Sequence, residues 1–402
     1  MTRAELLPLH TALARLMAAA PPPPATERVE LADALHRVLV AAHCAVIDVP
    51  PGDNSAMDGY ALRAGDAGCQ LPVVQRIAAG DTPQNLPPGT AARIFTGALV
   101  PVGADAVVLQ EDCERSGDRV RVPGAIDVGQ HIRRRGQDMR AGDTLLHAGR
   151  QLRPQDLGLL ASQGLSEVDV YRPLRVALLS TGSELKEAGS GPLAEGQIYN
   201  SNRPMLKALL QGLGCEVDDH GIVADSALAT AEALTAAAQA DVIVSSGGVS
   251  VGEADYVRDQ VAAQGAIDVW RIAIKPGKPF AFGRVGTTPF IGLPGNPSSA
   301  FVTFVLLARP FIHLAQGRAA QPLTTLPARA AFAVQQPGVR QEFLRATVSL
   351  RDGELWAESY ANQSSGVLSS LSASNALAVV PVGETIARGD RIDIMLLDEL
   401  LR

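Results

Sequence analysis

The sequence predicts a multidomain α/β plus β protein. Three observations carry that prediction. At 402 residues the chain is too long for one ordinary core, and about two to four domains are expected. Between Val176 and Ala308, apolar strand-like runs alternate with helical stretches, which reads as βαβ units around a parallel sheet. From about 46 to 140, and again after Pro322, short apolar runs are broken by frequent Gly and Pro, the texture of β-rich units.

The elements follow in order. Leucines at 6, 9, 13 and 16 give Met1–Ala20 an amphipathic helical stripe. The stretch looks like a signal peptide only superficially, because His10 and Arg15 interrupt its apolar run and Glu5 sits where basic residues belong. Pro21–Pro24 ends that helix and acts as a stiff spacer. Val29–Ala41 reads as a short strand or the start of a helix. The runs Val73–Ile77, Ala91–Phe95, Ala106–Leu109 and Arg119–Val122 are the strands of a small β-rich domain. Gln151–Ser162 looks like a helix returning to the first segment.

Near Pro173 the texture changes. Val176–Leu179 is a continuous apolar strand. A helix (Arg203–Gly212), a strand (Glu216–Val223), a helix (Ala227–Gln239) and a strand (242–246) follow. Phe290–Leu293 is a further strand, with a helix at Ser299–Ala308. That longest apolar run, Ala300–Ala308, is expected to stop at Arg309-Pro310 and to be too short for a bilayer. Later, Phe343–Leu350 and Glu354–Glu358 flank Asp352-Gly353, a hairpin signal.

Hydrophobic residues make up 47% and charged residues 19% of the chain, so it is globular. A formal net charge of −7 and only 4% aromatics argue against a nucleic-acid partner; no membrane partner is expected either. The four cysteines (Cys44, Cys69, Cys113, Cys215) form no Cys-x-x-Cys pair. That disfavours zinc and disulfide scaffolds and fits a reducing cytoplasm.

Ligands of open parallel sheets bind at the carboxyl ends of the strands. Three glycine-bearing loops fall at such ends. They contain Thr181, Gly182, Ser183 and Glu184; Ser246, Gly247, Gly248, Ser250, Gly252 and Asp255; and Pro294, Gly295, Asn296 and Pro297. Glycines admit close backbone approach, and a following helix start aims free N–H groups at an anion. Acids beside an anion-friendly loop point to phosphate with a hard metal ion such as Mg²⁺. Lys275 and Lys278, set among prolines, are expected to hold ammonium groups near an anion at reduced entropic cost. Asp58 stands in the polar stretch Asp53–Ala61, as a turn residue or as a carboxylate for metal or base work. Arg133-Arg134-Arg135 precede Asp138 and are either an anion-attracting group or a solvated face.

Taken together, Asn54–Ala61, Arg133–Asp138, Thr181–Leu185, Ser246–Gly252, Lys275–Pro279 and Gly292–Pro297 resemble the molybdopterin molybdenumtransferase family (bacterial MoeA and the gephyrin E domain). The motifs occur in family order and cover nearly the whole chain. The resemblance implies an elongated linker and dimerisation segment (1–45 with 141–172), a β-rich domain (46–140), a central molybdopterin-binding α/β domain (173–322) and a C-terminal β-barrel (323–402). It implies a homodimer with its site at the subunit interface. It implies insertion of molybdenum from molybdate into adenylylated molybdopterin, with hydrolysis of the adenylate, release of AMP and assistance from Mg²⁺. The molybdopterin adenylyltransferase is then an expected partner.

Carried across by position, Asp58 and Asp138 match family carboxylates needed for activity. Glu184, Asp255 and Asp225 match acids of the central pocket and are the expected metal ligands. Lys275 and Lys278 match anion-binding lysines, and Arg345 and Ser365 match residues reaching back from the last domain. Two rival readings are a catalytically silent molybdopterin-binding scaffold and an adenylyltransferase. AMP release would separate the first, and ATP-dependent formation of adenylated product the second.

Overall fold

A computed structural model describes residues 6–248 and 256–401. The first helix, Leu9–Ala18, buries Ala12 and Leu16. Strand Thr26–Glu30 pairs antiparallel with the distant strand Glu167–Tyr171, from Thr26↔Tyr171 to Glu30↔Glu167. Val38–Leu39 lies on the other side of Glu167–Tyr171. The helix within 151–162 is observed as Pro154–Ser162.

The segment between these halves carries a six-stranded sheet. Its spatial order is Ala106–Leu109, Gly59–Leu62, Ala91–Ile94, Gln70–Ile77, Arg119–Arg121 and Glu114–Ser116. Beside it, Asn54–Ser55 pairs with Ile132–Arg133. Among the described residues, no hydrogen bond or ion pair joins 46–140 to the region beyond residue 172. Gln163 braces its root, accepting at Oε1 from the N–H groups of Val46 (2.9 Å) and Ile47 (3.1 Å).

The central domain is a doubly covered sheet. Its elements are β1 (Arg175–Thr181), α1 (Asn202–Gly212), β2 (Glu216–Val223), α2 (Ala227–Ala237), β3 (Val242–Ser246), α3 (Tyr256–Gln264), β4 (Gly265–Arg271), β5 (Pro279–Val285), β6 (Thr288–Leu293) and α4 (Pro297–Thr303). The strand order is β2-β1-β3-β6-β5-β4. The first four strands are parallel, whereas β5 runs antiparallel to both β6 and β4. Side chains alternate between two cores, as the two-residue strand period requires. Val176, Leu178, Val244 and Leu293 enter one; Ala177, Leu179, Ile243 and Phe290 enter the other.

The expected end of the core helix at Arg309-Pro310 is wrong. The helix continues to Ala315, giving 19 residues with mean hydropathy 1.5. It is long and apolar enough to cross a membrane, but 89% of its apolar window is buried inside the fold. A proline lacks an N–H and crowds the preceding turn. Here Phe304–Ala308 widens into a π-helical turn just before Pro310, which accommodates the ring without ending the helix.

The last region closes a barrel. Its order is Ile274–Lys275, Gln341–Arg351, Glu354–Ser359, Leu326–Ala330, Arg391–Leu396 and Ala376–Val380, and the last strand pairs back onto Gln341–Arg351. The 352–353 hairpin is present, with Asp352 (φ 50°) and Gly353 (φ 80°) in its two-residue turn. Ile274–Lys275 comes from the central domain, so the β4–β5 connection lends the barrel an edge strand.

Candidate active site

Register places the candidate loops on one edge. Strands β1, β2, β3 and β6 are parallel, so residues 181–185, 224–226, 247–248 and 294–298 all emerge from their carboxyl ends. Arg271 pairs with Pro279, and Ala281 pairs with Gly292. The Lys275–Lys278 connection therefore turns at that same edge. Five connections converge there.

The glycine turns are sterically required. Gly247 (φ 91°) and Gly248 (φ 67°) lie in the left-handed region. A Cβ on Gly247 would sit 2.6 Å from the Thr181 carbonyl oxygen, and one on Gly248 only 2.4 Å from Val257 Cγ2. Glycine alone fits both the torsions and the space. Gly247 N–H donates to the Leu293 carbonyl at 3.1 Å, tying β3 to the end of β6. Asn202 Nδ2 donates to Ser246 Oγ (2.9 Å) and to the Gly295 carbonyl (2.6 Å). Thr181 Oγ1 is buried with no hydrogen-bond partner among the described residues. Gly295 and Asn296 are exposed, Pro297 opens α4, and Pro294 is buried.

Glu184 is exposed, and its carboxylate lies over Gly182, where a Cβ would be 2.7 Å from Oε2. Ser183 and Asp225 are exposed on the same edge. Ser250, Gly252 and Asp255 lie outside the described residues. Glu184 and Asp225 carry the hard oxygen donors that Mg²⁺ prefers. Among the described residues, no three His, Cys, Asp or Glu side chains gather as a ready-made metal cage. Glu184 and Asp225 alone would leave most of the coordination of such an ion to other groups.

Lys275 Nζ is paired with Glu342 at 3.1 Å to Oε1 and 3.2 Å to Oε2. Lys278 is exposed, and its carbonyl accepts from Ile272 N–H at 2.8 Å. From the barrel, the Ser365 carbonyl accepts from Ser298 N–H (3.0 Å), and the Val367 carbonyl from Ser298 Oγ (2.9 Å). The segment carrying Ser365 thus abuts the first turn of α4. Arg345 does not present its guanidinium to the edge. It is fully buried, with Nε donating to Ser370 Oγ and Nη2 to the Ser364 carbonyl, both at 3.0 Å. Burial pulls its pKa below the ordinary arginine value. It braces the 364–370 segment from beneath.

Asp58 and Asp138 stand apart, in the 46–140 domain. Asp58 Oδ1 accepts from Thr96 N–H (2.8 Å) and Thr96 Oγ1 (2.7 Å). The Thr96 backbone and hydroxyl bonds, with help from Arg93, hold this carboxyl below the usual aspartate range. Asp138 is exposed, its N–H bonded to the Val49 carbonyl at 3.0 Å. The arginine triplet is largely accounted for. Arg134 pairs with Asp53 at 2.6 Å and Arg135 with Asp48 at 2.5 Å; of the three exposed arginines, Arg133 is the one whose side chain makes no hydrogen bond or ion pair among the described residues. Thr96, Glu342 and Asn202 hold these groups in place without standing in any of the motifs above. Only Asn202 carried a signal, a small amide at the start of a helix beside the edge.

A mostly parallel sheet whose carboxyl edge gathers glycine turns, acids and lysines, joined to a closed barrel, defines a multidomain protein built around a central α/β domain. Three family models match in chain order. They are the MoeA N-terminal region, domains I and II (residues 7–164), a probable molybdopterin binding domain (177–314) and the MoeA C-terminal region, domain IV (327–397). The chain belongs to the MoeA family of molybdopterin molybdenumtransferases. A molybdopterin molybdenumtransferase of Haemophilus influenzae is 45% identical over 318 residues, 78% of each chain. One from a Nostoc species is 38% identical over 388 residues, 92% of this chain and 88% of that one. The solved structure of a molybdopterin biosynthesis MoeA protein from Pyrococcus horikoshii aligns with TM-score 0.82 at 29% identity, covering 98% of this chain and 100% of that one.

Proposed function

We propose that this protein inserts molybdenum from molybdate into adenylylated molybdopterin, releasing AMP. A role in molybdenum cofactor biosynthesis, as a transferase, follows from the family. The observation that carries the finer reading is the convergence of four strand ends and the Lys275–Lys278 connection on one edge. Molybdate and a phosphoanhydride are both anions. Two unit charges about 4 Å apart repel by about 4 kcal/mol at an effective dielectric of about 20. Exposed Lys278, together with Lys275, which the ligand would share with Glu342, offsets that repulsion.

In the proposed step, a water oxygen forms a bond to the adenylate phosphorus and gives up its proton to solvent, so that AMP is the product; where a molybdate oxygen attacks instead, water then hydrolyses the adenylyl–molybdate anhydride to AMP and molybdate. The bridging P–O bond breaks, and its electron pair stays on the molybdopterin phosphate. Lys275 and Lys278 neutralise that leaving charge. Glu184, Asp225 and Asp255 are the proposed ligands of Mg²⁺, which when bound supplies further positive charge against the phosphates. The glycine turns at 182, 247–248 and 295 admit the ligand close to backbone N–H groups.

Asp58 and Asp138 are bonded within their own domain, away from this edge. We place them in the site through a homodimer, with the β-rich domain of one subunit supplying both carboxylates to the central domain of the other. A cytoplasmic location and a handover from the molybdopterin adenylyltransferase complete the proposal. The test is purified protein with adenylylated molybdopterin and Mg²⁺, with and without molybdate, scoring AMP. Molybdate-dependent AMP release is expected; its absence overturns the reading. ATP-dependent formation of adenylylated product would favour the adenylyltransferase instead.

A further inference from the structure

Asn202 is the first residue of α1 and is only 8% exposed. Burying an amide is unfavourable unless its groups are bonded. Both bonds made by its side-chain nitrogen leave its own helix. One goes to Ser246 Oγ, at the end of β3, and the other to the Gly295 carbonyl, just after β6. Its Oδ1 is buried without a hydrogen-bond partner among the described residues. An apolar side chain would fill this space without leaving that oxygen unmet. A buried, half-satisfied amide at the meeting point of two glycine turns is therefore hard to explain as core packing.

The other bond between these turns is the one from Gly247 N–H to the Leu293 carbonyl, within the sheet margin. Beyond it, Gly295 and Asn296 are exposed. Among the described residues, the Asn202 amide is the link that ties that outer part to the end of β3. Spacing matters there, because two sets of backbone N–H groups bind one anion only if they point at the same place.

We infer that Asn202 is a positioning residue that fixes the 246–248 turn and the 294–297 turn to each other, so that both address one anionic group of the ligand. This rests on the function proposed above. Asn202→Ala removes both bonds. Asn202→Asp keeps the shape but sets a carboxylate against the Gly295 carbonyl, so it is expected to be at least as damaging. Leu210→Val, which thins the buried face of the same helix, is the control for general destabilisation.

Two measurements test the inference. In ligand-free protein, amide exchange over 246–248 and 296–300 is expected to accelerate in Asn202→Ala and to stay at the wild-type rate in Leu210→Val. With adenylylated molybdopterin, KM is expected to rise roughly tenfold or more in the Asn202 variants, with a smaller change in kcat. Wild-type exchange in either turn, or a wild-type KM, overturns the inference. If Asn202→Ala does not fold, Ser246→Ala removes one of the two bonds from the strand side and is read by amide exchange alone, wild-type exchange again overturning the inference. Should the wild-type protein release no AMP, the proposed function fails, while the exchange result still judges the link between the turns.

Discussion

Lys275 and Glu342 form an ion pair across the join between the central domain and the barrel, with Nζ 3.1 and 3.2 Å from the two carboxylate oxygens. The lysine side chain is 47% exposed and the glutamate 15%. A pair this open contributes at most about 1 kcal/mol. Glu342→Gln is therefore expected to change stability by no more than about 1 kcal/mol in a denaturant titration. Lys275→Ala is expected to unfold at nearly the same denaturant concentration, yet to lose about tenfold or more in molybdate-dependent AMP release. Intact turnover in Lys275→Ala would leave the lysine a joint between domains and nothing more.

Asp58 is expected to stay ionised through mildly acidic conditions, because Thr96 holds its pKa down. For a carboxyl lowered in this way, the charge is present above the lowered value and is lost as pH falls through it. Thr96→Val removes the hydroxyl and leaves the N–H. The acid limb of the rate profile should then move to higher pH, with the rate near neutrality largely kept. Asp58→Asn should lower the rate at every pH. A rate profile for each variant decides both points.

His313 sets an acid limit on folding. Burial, with the positive charges of Arg318 and Arg309, pushes its imidazole down to about 2. An unfolded histidine titrates near about 6.5. Below that pH the unfolded chain binds a proton that the folded chain refuses. Its contribution is thus complete above about 6.5 and is lost progressively as pH falls towards 2. His313→Gln should flatten stability against pH in this window by up to about 1.4 kcal/mol per pH unit. Parallel slopes for the two proteins would exclude the effect.

Arg345 offers a test of buried cation bonding. Arg345→Ala removes the donors to Ser370 and Ser364 and leaves a cavity, so a loss of about 2–5 kcal/mol is expected. Because Ser298 is bonded to Ser365, faster proteolysis within 362–370 should accompany the lower Tm. A stable variant with an unchanged cleavage pattern would contradict the bracing role.

Gly247→Ala forces a left-handed torsion on alanine and drives its Cβ to 2.6 Å from the Thr181 carbonyl oxygen. A stability loss of about 1–3 kcal/mol is expected, together with weaker molybdopterin binding by titration. Gly286→Ala, at φ 58° with no atom within 4 Å of its Cβ, should show strain without the binding defect.

Much of this architecture is legible in the residues. Val242–Ser246 stands out because an apolar, β-branched run between turn residues has few other uses, and Asp352-Gly353 fits its turn. β4 and β5 escaped notice because Asp268, Arg271, Gly283 and Arg284 break their apolar pattern. Their pairing is what carries Lys275 and Lys278 to the ligand edge. The core helix was cut short because Pro310 normally ends a helix, and a widened turn is invisible in composition. The burial of Arg345 is not legible in the sequence, because its partners are a hydroxyl and a carbonyl, not an acid near in sequence. The neutralisation of Arg134 and Arg135 by Asp53 and Asp48 spans more than eighty positions, beyond the reach of any local pattern.

The helix from Pro297 to Ala315 has one further consequence. Its apolar surface is covered by Ala12 and Leu16 from the amino end of the chain, by Leu206 and Leu210 of the central domain, and by Phe343, Leu377 and Leu400 from the carboxyl end, all in one continuous cluster. Cutting out 173–322 as a separate polypeptide would strip cover from a greasy rod in its middle. Such a fragment is expected to clump or to need detergent, and the intact chain to melt this part in a single cooperative step. The order of the segments along the gene is therefore not modular here: beginning, middle and end are clamped around one shared axle.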